Sequence, residues 1–296
     1  MNIKNYLSVN IERVNSVLDE LLVEENHYPE NISNAVRYSV FAGGKRIRPL
    51  LSIAASECLG INPERFIRFG AAIELIHTYT LIHDDLPCID NDDYRRGKKT
   101  CHKVFGEALA VLAGDALQTC AFEVFSQSIE AENINPKNQL NALWEFTRAI
   151  GIDGTIGGQV VDIESEGKEM TASTLEYIHD KKTGALILFS VKLPALLEGS
   201  NEKSLKALSL FGEKIGLAFQ VVDDILDITG NEKTLGKTPG KDEKSKKLTY
   251  PSLYGIEKSR EIADTLYGEA VNALDMFGNN ANNLKSIAEL IVKRNS

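Results

Sequence analysis

The chain has 296 residues, with 33 lysines and arginines against 42 aspartates and glutamates, which gives a formal net charge of −9. This acidic balance argues against a general nucleic-acid binder, because binding to phosphate backbones needs a broad basic surface. Hydrophobic residues make up 43% and charged residues 25% of the chain, the usual mixture in a soluble globular protein that needs no disulfide framework.

The four cysteines, at positions 58, 88, 101 and 120, form no C-x-x-C pair, which favours a reducing compartment over a zinc site or a disulfide scaffold. Charged residues interrupt residues 1–20, so this segment does not resemble a signal peptide. No uncharged apolar stretch is long enough to cross a bilayer. We therefore expect a cytoplasmic protein without a membrane span.

Apolar residues recur every three or four positions near both ends of the chain, as at Leu7, Ile11, Val14 and Leu18 and again at Ile262, Leu266, Ala270 and Leu274. Turn-forming segments divide the chain near residues 60–63, 130–138, 164–171, 198–204 and 279–283. There is no series of alternating strands, no long repeat and no interdomain linker. The pattern predicts one all-α domain, a bundle of many helices that spans residues 1–296.

The first motif with chemical potential is the sequence GGKRIRP at residues 43–49. Lys45 and Arg48 lie three positions apart beside two glycines, which suits an anion site at the start of a helix. The segment is not a P-loop, because the G-x-x-x-x-G-K-[ST] pattern is missing. Taken alone, it is more typical of an ordinary surface helix start.

An acidic motif, HDDLPCIDNDDYRRG, occupies residues 83–97 and follows an apolar helical run. His77, Thr80 and Asp84 share one helical stripe, whereas Asp90 lies about 240° around a regular helix from Asp84. We expect Pro87 to end or distort the helix, which could bring Asp90 back toward Asp84. Neighbouring side chains diverge, so the two arginines at 95 and 96 could reach separate anions.

Residues 106–128 are apolar almost all round, as in a buried central helix or a subunit interface. A second acidic motif then places Gln220, Asp223, Asp224 and Asp227 on one stripe of an apolar helix. Converging carboxylates repel, by about 4 kcal/mol for two charges 4 Å apart at an effective dielectric constant of 20. They need cations, and oxygen ligands favour Mg²⁺ shared with substrate phosphates. Metal carboxylates together with arginines therefore suggest a diphosphate site.

Residues 229–250 contain six lysines, three glycines and a proline, too polar and too broken for a core helix. By composition alone the segment is typical of a solvated surface loop. The alternative is a lid that brings lysines to an anionic substrate.

These motifs, with GDAL at 114–117, GGQVVD at 157–162, KTGAL at 182–186 and LGKTPGKD at 235–242, resemble the successive motifs of trans-isoprenyl diphosphate synthases. The resemblance covers about residues 40–255. A two-residue insertion, which leaves Leu-Pro-Cys-Ile between Asp85 and Asp90, resembles the bacterial farnesyl diphosphate synthase type most closely. The family resemblance implies an isoprenoid synthase fold around a central cavity and a homodimer. It also implies an enzyme that condenses isopentenyl diphosphate with dimethylallyl or geranyl diphosphate to make farnesyl diphosphate.

The resemblance also implies roles for individual residues. Asp84, Asp90 and Asp223 would hold Mg²⁺, supported by Asp85, Asp224 and Asp227. Arg95, Lys182 and Lys237 would contact the allylic diphosphate, and Lys45, Arg48, His77 and Arg96 would bind isopentenyl diphosphate. Thr183 and Gln220 would direct oxygen atoms at the allylic cation, and Lys247 would help to close the site, which favours the lid. Gln159 and Asp162 are equally consistent with lining the site or with ordinary helix polarity, and His83 and Cys88 are assigned to structure.

The length of the product depends, by the same resemblance, on Tyr79 and its neighbour Thr80. Tyr79 lies five residues before Asp84, about 7.5 Å along a helix axis. Its ring could form the floor of a tunnel that stops elongation at fifteen carbons. The alternative is that the ring is simply part of the core. We expect farnesyl diphosphate, with geranyl or geranylgeranyl diphosphate as alternative products.

Three other functions fit the sequence less well. A class I terpene cyclase shares an acidic metal motif but ionises one substrate without a second diphosphate site, and its second metal motif normally carries Asn, Ser and Glu. An HD-type phosphohydrolase needs further clustered histidines, and the chain has five histidines in all. A non-catalytic subunit of a heterodimeric synthase would have lost an acidic motif, whereas both are intact.

Overall fold

The computed structural model describes residues 2–22, 24, 27–131, 134–168, 171–229 and 248–294. By their internal contacts, the residues divide into two compact units. The first unit comprises residues 1–50 and 64–133, and the second comprises residues 51–63 and 134–296. The single domain spanning residues 1–296 stays a prediction.

The first unit is helical except for one small hairpin. Its helices are α1 (Ile3–Leu21), α2 (Glu30–Val40), the start of α3 (Ile47–Cys58), α4 (Ile67–Asp84), α5 (Cys101–Phe105) and α6 (Glu107–Ala131), and its strands are β1 (Tyr94–Arg95) and β2 (Lys98–Lys99). The core forms where α4 packs against α6 and α1, since α4 is apolar over most of its surface. Phe69 and Phe125 meet there edge to face, with ring centroids 5.1 Å apart.

In its described residues, the second unit contains the rest of α3 and a series of further helices. These are α7 (Pro136–Ile150), α8 (Thr155–Ser165), α9 (Ala172–Ile178), a π-helix (His179–Gly184), α10 (Ala185–Leu197), α11 (Glu202–Thr229), α12 (Tyr250–Tyr254), α13 (Ile256–Ala273), a 3₁₀ segment (Asp275–Ala281) and α14 (Asn282–Val292). Helix α10 is buried between α7 and α11, and the Phe146 and Phe189 rings stack 4.9 Å apart. Glycines at 212 and 216 allow α11 to approach the backbones of Leu188 and Gly184.

The predicted all-α class is confirmed, and the helix ends fall close to the predicted breaks. The hairpin β1–β2, which pairs Tyr94 with Lys99 and Arg95 with Lys98, was not predicted from the sequence. Its two turn residues, Arg96 and Gly97, both have positive φ, 54° and 76°. This is the backbone twist that two-residue hairpins prefer, and Arg96 adopts it although arginine rarely does.

Helix α6 is long and apolar enough over residues 107–129 to cross a bilayer by length and composition alone. A core helix of a soluble protein passes the same test. Only 39% of this stretch is buried within the chain, and Leu112 is 54% exposed. The helix is therefore not buried all round, and the predicted homodimer stays a prediction.

Candidate active site

In the first unit, the acidic motif folds back on itself directly after α4. The helix ends at Asp84, three residues before Pro87, and the Asp90 backbone N–H then donates to the Asp84 carbonyl oxygen at 2.9 Å. The Asp92 N–H donates to the Asp85 carbonyl at 3.2 Å. The prediction that Pro87 ends the helix and returns the chain from Asp90 to Asp84 is confirmed.

The Arg95 side chain contacts the aspartates of its own motif. Its Nε and Nη2 atoms donate to one oxygen of the buried Asp85 carboxylate at 2.8 and 2.5 Å, and Nη2 lies 3.4 Å from Asp92. Burial raises the pKa of Asp85, and the charges of Asp84 and Asp90 raise it further, while Arg95 opposes both. Burial disfavours the charged guanidinium, yet these carboxylates keep the pKa of Arg95 above its ordinary value. The arginine thus neutralises part of a concentrated negative charge.

Arg96 takes a different direction, as the sequence predicted for neighbouring arginines. Its guanidinium donates to the carbonyl oxygen of Gly43 in the GGKRIRP loop. It also lies against Gly44, where an added Cβ would come within 2.7 Å of the guanidinium carbon. Gly44 also has a φ of 138°, a conformation that favours glycine, so the backbone and the close approach of Arg96 both favour glycine at this position. The hairpin turn and the loop meet through Arg96.

His77 lies among the basic side chains of this unit. Burial lowers its pKa well below the ordinary value, and the positive charges of Arg48, Arg96, Arg95 and Arg46, in that order, lower it further. A neutral imidazole beside several guanidinium groups has an excess of positive charge and hydrogen-bond donors around it, which suits an anion. The structure therefore brings together Arg48, His77 and Arg96, three of the four residues that the family resemblance assigned to the isopentenyl diphosphate site. The fourth, Lys45, is an exposed residue of the GGKRIRP loop.

Tyr79 and Thr80 occupy different environments on α4. The Tyr79 ring is buried and meets the His83 ring edge to face at 5.1 Å. His83 Nε2 lies 3.0 Å from the Val111 carbonyl oxygen of α6, where Gly114 leaves room for the imidazole. The Thr80 hydroxyl donates to the His77 carbonyl of its own helix at 2.8 Å. His83 is thus a packing residue between α4 and α6, whereas Cys88 is exposed.

In the second unit, the three aspartates of α11 have three different surroundings. Asp223 accepts a hydrogen bond from Arg294 at 2.6 Å, and Asp224 accepts one from the Tyr250 backbone N–H at 2.9 Å. Asp227 is 3% exposed, and neither of its carboxylate oxygens has a hydrogen-bond partner among the described residues. Gln220 lies one helical turn before Asp223, as the spacing predicts, and is partly buried.

Lys182 and Thr183 lie in the π-helix, a rare form that is often found at functional sites. Lys182 Nζ is 2.7 Å from an Asp162 carboxylate oxygen, so GGQVVD and KTGAL, weak motifs separately, meet through an ion pair. Next to them, both polar atoms of the Gln159 side chain are buried without a hydrogen-bond partner in the described part of the chain. These contacts favour a role in the site for Gln159 and Asp162.

Sequence reasoning missed four residues around these motifs, namely His179, Tyr250, Arg294 and Arg46. The buried His179 ring stacks on Tyr250 at 5.6 Å and lies 3.7 Å from Asp224, and burial lowers its pKa to about 4. Arg294 reaches Asp223 from the far end of the chain, and the Arg46 side chain of the GGKRIRP loop is buried against Glu74. No local pattern marks them, because their partners are distant in sequence. Lys237 and Lys247 lie outside the described residues.

The carboxylates fit a hard divalent cation. Asp84 and Asp90 raise the pKa of Asp85, and all three carboxylates raise the pKa of Arg95, so negative charge is concentrated in the first motif. In the second motif, both buried carboxylate oxygens of Asp227 have no hydrogen-bond partner among the described residues. Oxygen-rich sites of this kind suit Mg²⁺. Within the described residues, no group of three or more His, Cys, Asp and Glu side chains already has the arrangement of a metal site.

Comparisons with known proteins give a consistent result. Residues 29–285 match the family model described as polyprenyl synthetase. The chain is 43% identical to a geranylgeranyl diphosphate synthase of Cyanophora paradoxa, covering 100% of this chain and 97% of that one. It resembles the structure of an FPP/GFPP synthase from Zymomonas mobilis, with a TM-score of 0.86, 38% identity and coverage of 98% and 99%. The structure of a geranyltransferase from Helicobacter pylori complexed with magnesium and isoprenyl diphosphate gives a TM-score of 0.86 at 32% identity, with 99% of each chain covered.

Proposed function

The chain belongs to the polyprenyl synthetase family and is a prenyltransferase, and we propose that it condenses isopentenyl diphosphate with dimethylallyl or geranyl diphosphate to make farnesyl diphosphate. The observation that carries the proposal is the grouping of Arg48, Arg95 and Arg96 around His77, next to the carboxylates of the first acidic motif. One anion can bind to the basic residues directly, and a second can bind through a metal on the carboxylates. A terpene cyclase has no use for the first of these sites.

The reaction follows from two diphosphates held in this way. The C–O bond between the allylic carbon and its diphosphate breaks, and the electron pair leaves with the diphosphate. The terminal alkene carbon (C4) of isopentenyl diphosphate then forms a C–C bond to the allylic cation, which leaves the positive charge on C3. Loss of a proton from C2, taken by the released diphosphate, forms a new double bond between C2 and C3. The product is a longer allylic diphosphate, which can serve as the next substrate.

Each proposed residue acts at a definite point of this reaction. Lys45, Arg48, His77 and Arg96 hold the diphosphate of isopentenyl diphosphate, while Arg95 and Lys182 bind the leaving diphosphate, together with Lys237. The oxygens of Thr183 and Gln220 stabilise positive charge on the allylic carbons. Each acidic motif supplies carboxylates for Mg²⁺, which when bound neutralises charge on the leaving group.

The test is incubation of the purified protein with Mg²⁺, isopentenyl diphosphate and each allylic starter, with release of diphosphate measured. We expect release to depend on isopentenyl diphosphate, because the alkene traps the cation. Release of equal size from the allylic substrate alone would indicate a cyclase or phosphohydrolase instead. Chromatography of the dephosphorylated products then gives the chain length.

The proposed fifteen-carbon limit is supported by the buried Tyr79 ring, fixed against His83 one turn before the acidic motif. A rigid aromatic ring there fills space that a longer prenyl chain would need. The second candidate product is geranylgeranyl diphosphate, because a relative that matches over its whole length is a geranylgeranyl diphosphate synthase. The two products differ by one isoprene unit, so a single position can decide between them.

The substitution Tyr79→Ala is expected to lengthen the main product by at least one isoprene unit, because it removes the ring that limits the chain. Radiolabelled isopentenyl diphosphate and reversed-phase chromatography measure the shift. Tyr79→Phe is the matched control, since it keeps the ring and the edge contact with His83 and should keep the parent product. If Tyr79→Ala and the parent make the same product, Tyr79 does not limit chain length.

A further inference from the structure

Arg46 lies at the centre of the GGKRIRP loop, between the exposed Lys45 and the half-buried Arg48, yet its own side chain is buried. The loop has positive φ at Gly43, Gly44 and Arg46, with values of 103°, 138° and 48°. The left-handed conformation is unfavourable for an arginine, so other contacts must hold it there.

Those contacts come from three helices. Arg46 Nη1 donates to Glu74 Oε1 of α4 at 2.9 Å, Nε donates to Asn15 Oδ1 of α1 at 2.9 Å, and Nη2 donates to the Val40 carbonyl of α2 at 2.7 Å. The Arg46 and Glu74 side chains are 2% and 1% exposed. The guanidinium fork is therefore fully engaged inside the protein and does not reach solvent or a ligand.

The same loop is held on its outer side by Arg96, which donates to the Gly43 carbonyl and packs on Gly44. Arg46 thus holds the loop from the inside. It lies in the chain between Lys45 and Arg48, two of the residues proposed to bind the same diphosphate. A change in its backbone angle would rotate Lys45 and Arg48 relative to His77 and Arg96, whose positions depend on α4 and on the hairpin. A multi-point anion site tolerates such a rotation poorly.

We infer that Arg46 is a positioning residue for the isopentenyl diphosphate site: its buried hydrogen bonds to Glu74, Asn15 and Val40 hold the left-handed loop that sets Lys45 and Arg48 around the diphosphate. This inference rests on the proposed function. It assigns to an arginine that touches no substrate the relative placement of those that do.

Two variants test it. Arg46→Lys keeps the charge but cannot form the three-way fork, and Glu74→Gln keeps an acceptor but removes the charge opposite Arg46. Both are expected to raise the KM for isopentenyl diphosphate about tenfold, with the KM for the allylic diphosphate changed less than about twofold. The matched control is Arg13→Met, which removes an arginine of the same unit that pairs with Glu64 away from the loop. It should change neither KM.

A purely structural role would give another result. If both variants lower the melting temperature but leave the two KM values in their parental ratio, the inference is wrong. A direct readout independent of turnover is calorimetric binding of inorganic diphosphate without metal, which we expect to be about tenfold weaker in both variants than in the parent and in Arg13→Met. Unchanged binding overturns the inference. Binding that weakens as expected in a protein that does not consume isopentenyl diphosphate would support the loop mechanism and reject the proposed function.

Discussion

Gly158→Ala is expected to damage both stability and catalysis, because the backbone of the π-helix lies directly against this glycine. An added Cβ at position 158 would lie 2.8 Å from both the Lys182 Cα and the Lys181 carbonyl carbon. A backbone cannot move aside as a flexible side chain can, so α8 and the π-helix must separate. We expect a loss of about 3 kcal/mol in the free energy of unfolding, at the upper end of the usual range for overpacking.

The same displacement moves Lys182, which pairs with Asp162 at 2.7 Å and is proposed to bind the leaving diphosphate. A misplacement of about 1 Å is expected to cost on the order of 100-fold in kcat. Thermal unfolding and steady-state kinetics measure the two effects. A variant with the parental melting temperature and kcat would show that the two segments are not in close contact.

Gly268→Ala is the control for Gly158→Ala. Gly268 lies within α13, and an added Cβ there meets no atom within 4 Å. Alanine favours helix over glycine by about 0.5–1 kcal/mol, so this variant should be as stable as the parent or slightly more stable. Opposite outcomes for the same substitution in two helices would separate the steric cause from the general effect of glycine replacement.

Asp85→Asn is expected to be the most damaging single substitution in the first acidic motif. Asp85 is buried and accepts two hydrogen bonds from Arg95, so the change leaves a largely buried guanidinium without its main counter-charge. Breaking a buried ion pair from one side costs about 3–5 kcal/mol, and we expect the lower value because Arg95 is partly exposed. The rate should fall by about 100-fold, since Arg95 loses its fixed position beside the leaving diphosphate.

Asp93→Asn in the same motif is the matched control. Asp93 also pairs with a basic side chain, Lys103, but both are exposed, and pairs of this kind add little to stability. We expect a parental melting temperature and a parental kcat. If Asp85→Asn behaves like Asp93→Asn in both measurements, the Asp85–Arg95 pair contributes neither to stability nor to catalysis.

The sequence predicted much of this, because the relevant signals are local. Helical periodicity and turn residues place the helix ends, and Pro87 ends α4 since proline excludes the helical conformation from its neighbourhood. The fixed geometry of a helix also placed Asp223, Asp224 and Asp227 on one stripe of α11. Motif order then identified the family, since residues of the required types recur at the required spacing.

The hairpin β1–β2 was not predicted, because each strand has two residues and the turn uses an arginine where glycine or asparagine is usual. The buried role of Arg46 was hidden for another reason. A charged residue close to two others, here Lys45 and Arg48, is expected at the surface. Arg46 can be buried only because it forms hydrogen bonds with Glu74, Asn15 and Val40, which are not its neighbours in sequence. Arg294 reaches Asp223 across 71 residues of sequence, a contact that no local pattern encodes.

The amino-acid sequence by itself thus determined the helical class, the family and the residue types that carry its chemistry, because these depend on composition and on spacing along one helix or one turn. The tertiary structure decided which charges are paired, which glycines are required and which arginine serves the fold rather than a ligand. Those outcomes depend on contacts between residues far apart in the chain, whose energies arise only when folding removes the groups from water.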